Sequence, residues 1–196
     1  MGTTDEELVD AFQGGDLAAF DVLVYRWDRK IQAAIYRIMG TEEEARDLCQ
    51  ETFLRAYRAL GGFKGEARFS SWLYQIALNL CRDRMRRSKG RTLVSLDELE
   101  EAGNGLLQKG PTPLELVEAG DVSRAVASAV AALPAEQREV IVLKEYQDLT
   151  FVEIAEILGV PLSTVKTRLY RGLGQLRHRL ERQGIRGAAV APAALP

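Results

Sequence analysis

Residues 150–180 read TFVEIAEILGVPLSTVKTRLYRGLGQLRHRL, and the pattern in this stretch predicts the architecture of the second half of the chain. Its apolar residues recur at three- and four-residue spacing, which predicts a short helix, a turn and a longer helix. Gly159 marks the turn, Ala155 lies four residues before it, and Val165 lies six residues after it. A helix-turn-helix requires a small residue where its helices cross, a glycine at the turn and an apolar anchor on the second helix. The stretch therefore predicts a helix-turn-helix.

The outward face of the second helix in this motif has the composition of a DNA-binding surface. No Asp or Glu occurs between Val160 and Arg179, although the exposed face of a bundle helix often carries acids. Hydroxyls and cations near a helix start bind phosphates, and arginine can donate to both guanine acceptors in the major groove. The residues expected to contact duplex DNA are Ser163, Thr164, Lys166, Thr167, Arg168 and Arg171. The alternative is an ordinary helical hairpin within a bundle.

Helical spacing of apolar residues extends over most of the chain, and no alternation long enough for a strand occurs. The sequence therefore predicts an all-α fold. Several helix starts are marked by a threonine followed three residues later by a glutamate, whose carboxylate can reach back to the cap amide. These pairs are Thr4–Glu7, Thr41–Glu44, Thr112–Glu115 and Thr150–Glu153. Ser70 or Ser71 is a further candidate cap.

The helix starts and the composition divide the chain into two small helical domains. A glycine-rich, acidic stretch without a long apolar face separates them and predicts a flexible linker. The small, nearly uncharged residues at the end of the chain predict a disordered tail. The expected divisions are a helical domain at 1–89, a linker at 90–111, a helix-turn-helix domain at 112–182 and a tail at 183–196.

Composition excludes several classes of protein. The chain has 196 residues, 46% of them hydrophobic, and a formal net charge of −2, which is typical of a soluble globular protein. No apolar stretch reaches the roughly 20 residues that span a bilayer, and the N-terminus is acidic, so we expect a cytoplasmic protein. Two cysteines and one histidine, His178, offer no zinc-ligand set and little basis for nucleophilic catalysis. We therefore expect no metal, no cofactor and no enzymatic activity.

Residues 60–87 combine a glycine-rich loop with an amphipathic helix that ends in a cluster of arginines. Phe63 in that loop is unusual for a core residue. With Lys64 and Arg68, it is similar to the exposed aromatic and cations that receive an unstacked base and its phosphate. Asn79 faces neither the apolar stripe nor the arginines, and an amide can read a base edge. The residues expected in the core are Phe69, Trp72, Leu73, Ile76, Ala77 and Leu80.

The preceding residues 41–60 predict one amphipathic helix with a mixed outer face. That face presents Asp47, Gln50, Glu51, Leu54 and Arg55. It is either a solvated surface with favourable charge pairs or, because an exposed leucine lies among acids and an amide, a docking face for a partner helix.

Three ordered motifs resemble those of bacterial sigma factors of the compact extracytoplasmic-function (ECF) group, over about Asp5 to Arg182. The D-x-x-Q-E-x-F signature of that family appears at residues 47–53, and its F-x-G…W-L-x-x-I-A-x-N stretch appears at residues 63–79. Its recognition-helix pattern, T-V-K/R-S/T-R…R, appears at residues 164–171. Region 2 and region 4 of the family, joined by a linker, match the two predicted domains.

The resemblance implies an initiation mechanism. The outer face of residues 41–60 would dock on the clamp helices of the largest subunit of core RNA polymerase, and the helix-turn-helix would read the minus-thirty-five element of promoter DNA. The residues implied at the minus-ten element, where a flipped base would be captured, are Phe63, Lys64, Arg68, Asn79, Arg82 and Arg86. The acidic linker would lie in the RNA-exit path. An anti-sigma protein is a further implied partner.

Other classes of protein remain as alternatives. A conventional helix-turn-helix regulator, not bound to core polymerase, would carry a receiver or ligand-binding pattern in its first domain, and none is visible. A helical adaptor that binds only protein would leave the acid-free recognition helix without a role. For a nucleic-acid enzyme, Glu42, Glu43 and Glu44 could be a metal site, but consecutive helical residues point in different directions.

Overall fold

The computed structural model describes residues 2–94 and 119–185 of the chain. In these two ranges the regular structure is helical and no strand occurs, which confirms the predicted all-α fold. The elements are α1 (Asp5–Gln13), α2 (Ala18–Met39), α3 (Glu42–Leu60), α4 (Phe69–Val94), α5 (Ala119–Ala131), α6 (Ala135–Ile141), a π-helical turn (Val142–Tyr146), α7 (Phe151–Leu158) and α8 (Leu162–Arg182). We call α1–α4 the first module and α5–α8 the second module.

Capping by threonine and glutamate is confirmed at two helix starts. The Glu7 amide donates to the Thr4 hydroxyl at 3.2 Å, and the Thr4 amide donates to the Glu7 carboxylate at 2.7 Å. The same reciprocal pair joins Thr150 and Glu153 at the start of α7, with distances of 3.3 and 2.8 Å. Both boxes satisfy amide groups that the helix itself leaves without acceptors.

Three other predicted helix starts have different outcomes. Thr41 accepts from the Glu44 amide at 3.4 Å, but the Glu44 carboxylate contacts the threonine hydroxyl and not the cap amide. The prediction of Ser70 or Ser71 as a cap is wrong, because α4 begins at Phe69 and both serines lie in its first turn. Thr112 lies outside the described residues.

In the first module, α2 packs along α3, and α1 and α4 complete the core. Leu23, Ile31, Ile38, Leu60, Phe69 and Leu73 have no exposed surface. Edge-to-face aromatic contacts join α1, α2 and α3, with the Phe20 and Tyr57 rings 5.1 Å apart. Because burying each large apolar side chain contributes about 1.5–3 kcal/mol, this core stabilises the packing of the four helices.

In the second module, α6 and the π-helical turn lie beneath the helix-turn-helix. The sequence predicts burial of Val140, Ile141 and Leu143 there, and all three are fully buried. Helices α6 and α8 approach closely at Gly172, where an added Cβ would lie 2.6 Å from the Ile141 Cδ1 atom. Gly159 ends α7 with a φ of 64°, the left-handed conformation that a glycine adopts without steric cost.

The two modules pack against each other, which the sequence does not predict. Helix α4 contacts α7, and α2 contacts α5, α6 and the π-helical turn. Buried apolar residues of both modules form one cluster. The interface therefore gives the described residues a single continuous core.

The described bounds differ in part from the expected domain limits. Helix α4 continues to Val94, so the first residues of the stretch predicted as a linker are helical, and residues 95–111 lie outside the described part. Residues 186–196 of the predicted tail also lie outside it. In the part that the structure describes, no helix has both the length and the apolar character needed to cross a membrane.

Candidate nucleic-acid interface

Burial of Val165 orients the recognition helix α8. This side chain has no exposed surface and anchors the first turn of α8 against the rest of the second module. The opposite face is therefore directed outward. Of the residues predicted to bind duplex DNA, four are exposed and two, Thr164 and Arg168, are half-buried. The exposed ones are Ser163, Lys166, Thr167 and Arg171.

The start of α8 and the start of α6 together line an open cavity of about 390 Å³. Its lining includes Gln137 of α6, while Arg168 and Arg171 project from α8. The Arg168 guanidinium lies 2.7 Å from the carboxylate of Glu136 on α6. Sequence reasoning missed Glu136, because only the packing of α6 against α8 brings this acid to the basic face. The arrangement offers hydroxyls, cations and one carboxylate to a polar ligand.

The aromatic loop before α4 differs from the prediction at Phe63. This ring is half-buried and its centroid lies 5.0 Å from that of Trp72, so the prediction of an exposed aromatic is wrong. The physical reason is that Trp72, in the first turn of α4, offers an apolar surface to the loop. Lys64 and Arg68 are exposed, and Asn79, which lies further along α4, is exposed too.

Two of the predicted minus-ten cations are paired with carboxylates of the second module. Arg82 donates to both oxygens of Glu139, at 2.9 and 2.7 Å, and these hydrogen bonds raise the pKa of the guanidinium. Arg68 lies 2.8 Å from a carboxylate oxygen of Glu153. Arg86, in contrast, is exposed and pairs with Asp83 on its own helix. The structure therefore brings Arg68 and Arg82 to the interface between modules.

The residues predicted to form a docking face lie along the outer side of α3. Asp47, Gln50, Leu54 and Arg55 are exposed and Glu51 is half-buried. Among these residues, Arg55 donates to Glu51 at 2.8 Å. Leu54 retains 45% of its surface exposed and Tyr57, on the same helix, retains 43%. The face combines an apolar centre with polar and charged neighbours, the composition of a surface that binds another helix.

The two cysteines lie in the interior of the first module. Burial raises the pKa of Cys49 to about 12, and the nearby Asp28 carboxylate contributes to the shift. Burial also raises the pKa of Cys81 to about 12. Both thiols are protonated at neutral pH and therefore weak nucleophiles.

Comparison with known families places both modules. Residues 23–91 match the family Sigma-70 region 2, and residues 123–176 match the family Sigma-70, region 4. The ECF RNA polymerase sigma factor SigW of Bacillus subtilis is 37% identical over 170 residues, which cover 85% of this chain and 91% of SigW. The RNA polymerase sigma-H factor of Pseudomonas aeruginosa is 33% identical over 171 residues, which cover 85% of this chain and 89% of that protein.

Solved structures share the fold of this chain. The structure of CnrH in complex with the cytosolic domain of CnrY matches with a TM-score of 0.66 and 27% identity, over 91% of this chain and 97% of the matched chain. The sigma factor RpoE of Bartonella quintana, solved with the anti-sigma factor NepR, has the same fold, with a TM-score of 0.64 and 24% identity over 83% of this chain and 96% of the matched chain. Since both modules match in order and the relatives are covered over most of their length, this chain belongs to the ECF RNA polymerase sigma factors.

Proposed function

We propose that this sigma factor divides promoter recognition between its modules, the second reading the minus-thirty-five element and the first capturing the minus-ten element. The observation that carries the proposal is the outward face of α8, where Lys166, Thr167 and Arg171 are exposed on a helix anchored by buried Val165. Such a helix presents its first turns to the major groove, where cations contact phosphates and arginine reads guanine. A conventional regulator that does not bind core polymerase would leave the docking face of α3 without a role.

The outer face of α3 would bind core RNA polymerase. An exposed leucine beside Asp47, Gln50 and Glu51 suits a partner helix that offers both apolar and basic side chains. We assign this partner to the clamp helices of the largest polymerase subunit. The chain itself would perform no chemistry and would act in the cytoplasm, where polymerase and promoter DNA are present.

The first module would capture the minus-ten element through groups around the start of α4. Lys64 and Asn79 are exposed and can offer a cation to a phosphate and an amide to a base edge. Phe63 packs on Trp72, so a captured base would stack beside this aromatic pair or displace the Phe63 ring. Arg82 and Arg86 lie further along α4 and would contact the phosphate backbone of the captured DNA strand.

An anti-sigma protein would complete the set of partners. CnrH, which shares this fold and is 27% identical, was solved in complex with the cytosolic domain of CnrY. An anti-sigma protein would bind the surfaces that polymerase and promoter use. Residues 95–111, the part of the predicted acidic linker that follows α4, would connect the modules.

The decisive experiment mixes the full-length protein with core RNA polymerase that lacks other sigma factors. We expect the protein to comigrate with core and to direct run-off transcripts from specific fragments of its own genome. Binding to DNA without binding to core would contradict the proposal and would indicate a conventional regulator.

Variants then separate the two interfaces. We expect Arg171→Ala to weaken recognition of the minus-thirty-five duplex by about 1–3 kcal/mol while core binding is unchanged. Arg177→Ala is the matched control, because it removes the same charge from an exposed position of α8 outside the DNA-binding face. Equal loss of core and DNA binding by Arg171→Ala would contradict the assignment of this residue.

The double change of Gln50 and Glu51 to alanine should weaken core binding without changing binding to the minus-thirty-five duplex. Its control changes Gln75 and Glu66, an exposed glutamine and glutamate of the same module outside the α3 face, to alanine. Normal holoenzyme assembly by the first variant would remove the α3 face from the proposal.

The variant Asn79→Ala tests base capture. We expect holoenzyme that carries this variant to open the promoter less, as measured by the permanganate reactivity of unpaired thymines.

A further inference from the structure

We propose that the free protein is closed by a latch between its modules, in which carboxylates of the second module occupy the minus-ten cations of the first. The inference rests on the proposed function, because it concerns when the promoter-binding residues become accessible. The latch consists of the pairs Arg82–Glu139 and Arg68–Glu153 and the hydrogen bond Tyr74–Gln147.

Glu139 is the centre of the latch. Its side chain retains only 2% of its surface exposed, and both carboxylate oxygens accept hydrogen bonds from Arg82 of the first module. A carboxylate buried to this extent requires a partner, since desolvation of an unpaired charge is very unfavourable. The desolvation of both ions offsets much of their attraction, so the pair specifies the closed arrangement without making it irreversible.

Further contacts link the same surfaces. The Tyr74 hydroxyl donates to the Gln147 side chain at 2.6 Å, and the guanidinium of Arg138 donates to the carbonyl of Ile38 near the end of α2. The guanidinium carbon of Arg37 lies 4.2 Å from the centroid of the Tyr146 ring. These contacts join α2 and α4 to the π-helical turn and its flanking residues, so the ion pairs are part of an extended interface.

The latch and the minus-ten element compete for the same groups. Arg68 and Arg82 are both assigned to the minus-ten strand, and Asn79 accepts a hydrogen bond from Arg82 at 3.4 Å. A guanidinium that donates to both oxygens of a buried carboxylate cannot also bind a phosphate with the same groups. Glu139 and Glu153 therefore occupy the positions of anionic ligands, and the closed and DNA-bound states exclude each other at Arg82.

The latch affects one promoter element more than the other. Lys166, Thr167 and Arg171 of α8 remain exposed while the modules are closed. The free protein should therefore bind a minus-thirty-five duplex more readily than a single-stranded minus-ten element. Separation of the modules on core polymerase would release Arg68 and Arg82 and would couple minus-ten capture to holoenzyme formation.

The first test measures the distance between modules in the full-length protein without polymerase. Cysteines introduced at Tyr25 and Tyr170, which are 90% and 67% exposed, carry a fluorophore pair, whereas the two native cysteines are buried. We expect Glu139→Gln to lower energy transfer, because Arg82 loses its charged partner. Glu156→Gln is the control, since it removes an exposed carboxylate of α7 from a position outside the latch, and we expect no change.

The second test measures DNA binding by unlabelled protein. The probes are a single-stranded oligonucleotide with the minus-ten element of a promoter mapped by run-off transcription, and a duplex with its minus-thirty-five element. If about nine molecules in ten are closed, opening raises single-strand affinity about tenfold, because apparent affinity follows the competent fraction. We expect this gain for Glu139→Gln but not for Glu156→Gln, with duplex affinity unchanged.

Tyr74→Phe provides a second latch variant that retains the buried ring and removes the hydroxyl. Lower energy transfer and tighter single-strand binding by both variants, with normal helix content, support the latch. Wild-type values in both assays overturn it, and so does a loss of helix content that accounts for the lower transfer. Run-off transcription by the wild-type protein tests the proposed function separately. If the latch is absent but the protein is a sigma factor, specific transcripts are still made. If the protein is not a sigma factor, no specific transcript is made, whatever the distance between the modules.

Discussion

Gly172 shows how closely one residue controls the position of the recognition helix. A Cβ at this position would lie 2.6 Å from the Ile141 Cδ1 atom and 3.3 Å from the Gln137 Cβ atom. Because Ile141 is fully buried, it cannot move without disturbing the core of the second module. The absence of a side chain at residue 172 therefore allows α6 and α8 to cross at this distance.

We expect Gly172→Ala to destabilise the protein. Overpacking a core costs about 1–3 kcal/mol, while alanine in place of glycine within a helix recovers about 1 kcal/mol. The net loss should be about 1 kcal/mol in the free energy of unfolding, measured by urea denaturation. Gly174→Ala is the matched control, because nothing lies within 4 Å of its added Cβ, and it should stabilise the protein. Stabilisation by both variants would contradict the close approach at Gly172.

The buried thiols predict a loss of stability at alkaline pH. The pKa of Cys49 and of Cys81 is raised by burial from 9.0 to about 12. Below pH 9 both thiols are protonated in the folded and the unfolded chain, so they contribute no pH dependence there. Between pH 9 and 12 the unfolded chain releases these protons and the folded chain retains them, so the free energy of unfolding falls as pH rises.

Urea denaturation between pH 8 and 10.5 measures this loss, with the double variant Cys49→Ala and Cys81→Ala as comparison. We expect the free energy of unfolding to fall less steeply with pH in the variant than in the wild type. This comparison of slopes does not depend on how much absolute stability the substitutions remove. Both native thiols should also react slowly with a disulfide reagent at pH 8 until the protein is unfolded. Rapid reaction of folded protein would show that neither group is held in a desolvated site.

Residue-scale prediction from sequence succeeded where a local pattern determines the environment and failed where packing between distant elements does. Val165 and Phe69 follow from helical periodicity, and both are fully buried. Phe63 was misplaced because its contact with Trp72 depends on how the loop turns back onto α4. Glu139 carries no local signal, since an acid within an amphipathic helix resembles any solvated acid until Arg82 is placed beside it.

At the scale of the elements, the capping box of α7 connects the sequence pattern to the geometry of the helix-turn-helix. Three hydrogen bonds join Thr150 and Glu153, and Glu153 also faces Arg68 of the first module. The pKa of Glu153 is lowered, chiefly by the hydrogen bond from the Thr150 amide, then by the Thr150 hydroxyl, with Arg68 contributing less. The start of α7 therefore depends on an ionised carboxylate.

We expect Thr150→Ala to lower the free energy of unfolding by about 1 kcal/mol, the usual effect of losing a threonine cap. The contribution of Glu153 has a defined pH dependence. Because its folded-state pKa lies below the ordinary value of 4.5, the stabilisation is complete above that pH and is lost as pH falls through the lower folded pKa.

Unfolding by urea at pH 7 and at steps between pH 5 and 3 separates these effects. Glu153→Gln should show less acid destabilisation than the wild type, since an amide does not titrate in this range. Thr41→Ala is a useful comparison, because the box there is incomplete, and its effect should be smaller than that of Thr150→Ala. Equal effects of the two threonine variants would show that the reciprocal hydrogen bond adds nothing.

Element boundaries follow from sequence only when capping residues mark them. The starts of α1, α3 and α7 coincide with predicted caps. The start of α4 was misplaced because two serines offered plausible caps, while burial of Phe69 and Leu73 brought the first turn forward. The π-helical turn at Val142–Tyr146 has no counterpart in the predicted pattern, since the hydrophobic period alone does not distinguish it from a continued α-helix.

At the scale of the whole molecule, the arrangement of the modules could not be predicted from the sequence. Its contacts join residues that lie far apart in the chain, as Arg82 and Glu139 do. Each of these side chains is compatible with a solvated surface of its own module. Only the assembled interface shows that the charges of the two modules are complementary.

The uneven distribution of charge along the chain reconciles its negative net charge with DNA binding. The chain carries a formal charge of −2, which opposes binding to DNA over long distances, whereas the outward face of α8 is basic and carries no acid before Arg179. Binding should therefore depend on a few local phosphate contacts, each of which adds about one to the slope of log affinity against log salt. Lys166, exposed in the second turn of α8, is suited to such a contact, because lysine binds phosphate as a point charge.

We expect Lys166→Ala to weaken binding of the holoenzyme to promoter duplexes of different sequence by similar factors. The slope of log affinity against log salt should become shallower by about one, the change for one lost phosphate contact. Fluorescence anisotropy over a series of salt concentrations measures the slope, and Arg177→Ala controls for removal of a cation elsewhere on α8. An unchanged slope, with discrimination between sequences reduced, would instead assign Lys166 to base reading and leave the phosphate contacts to other residues of α8.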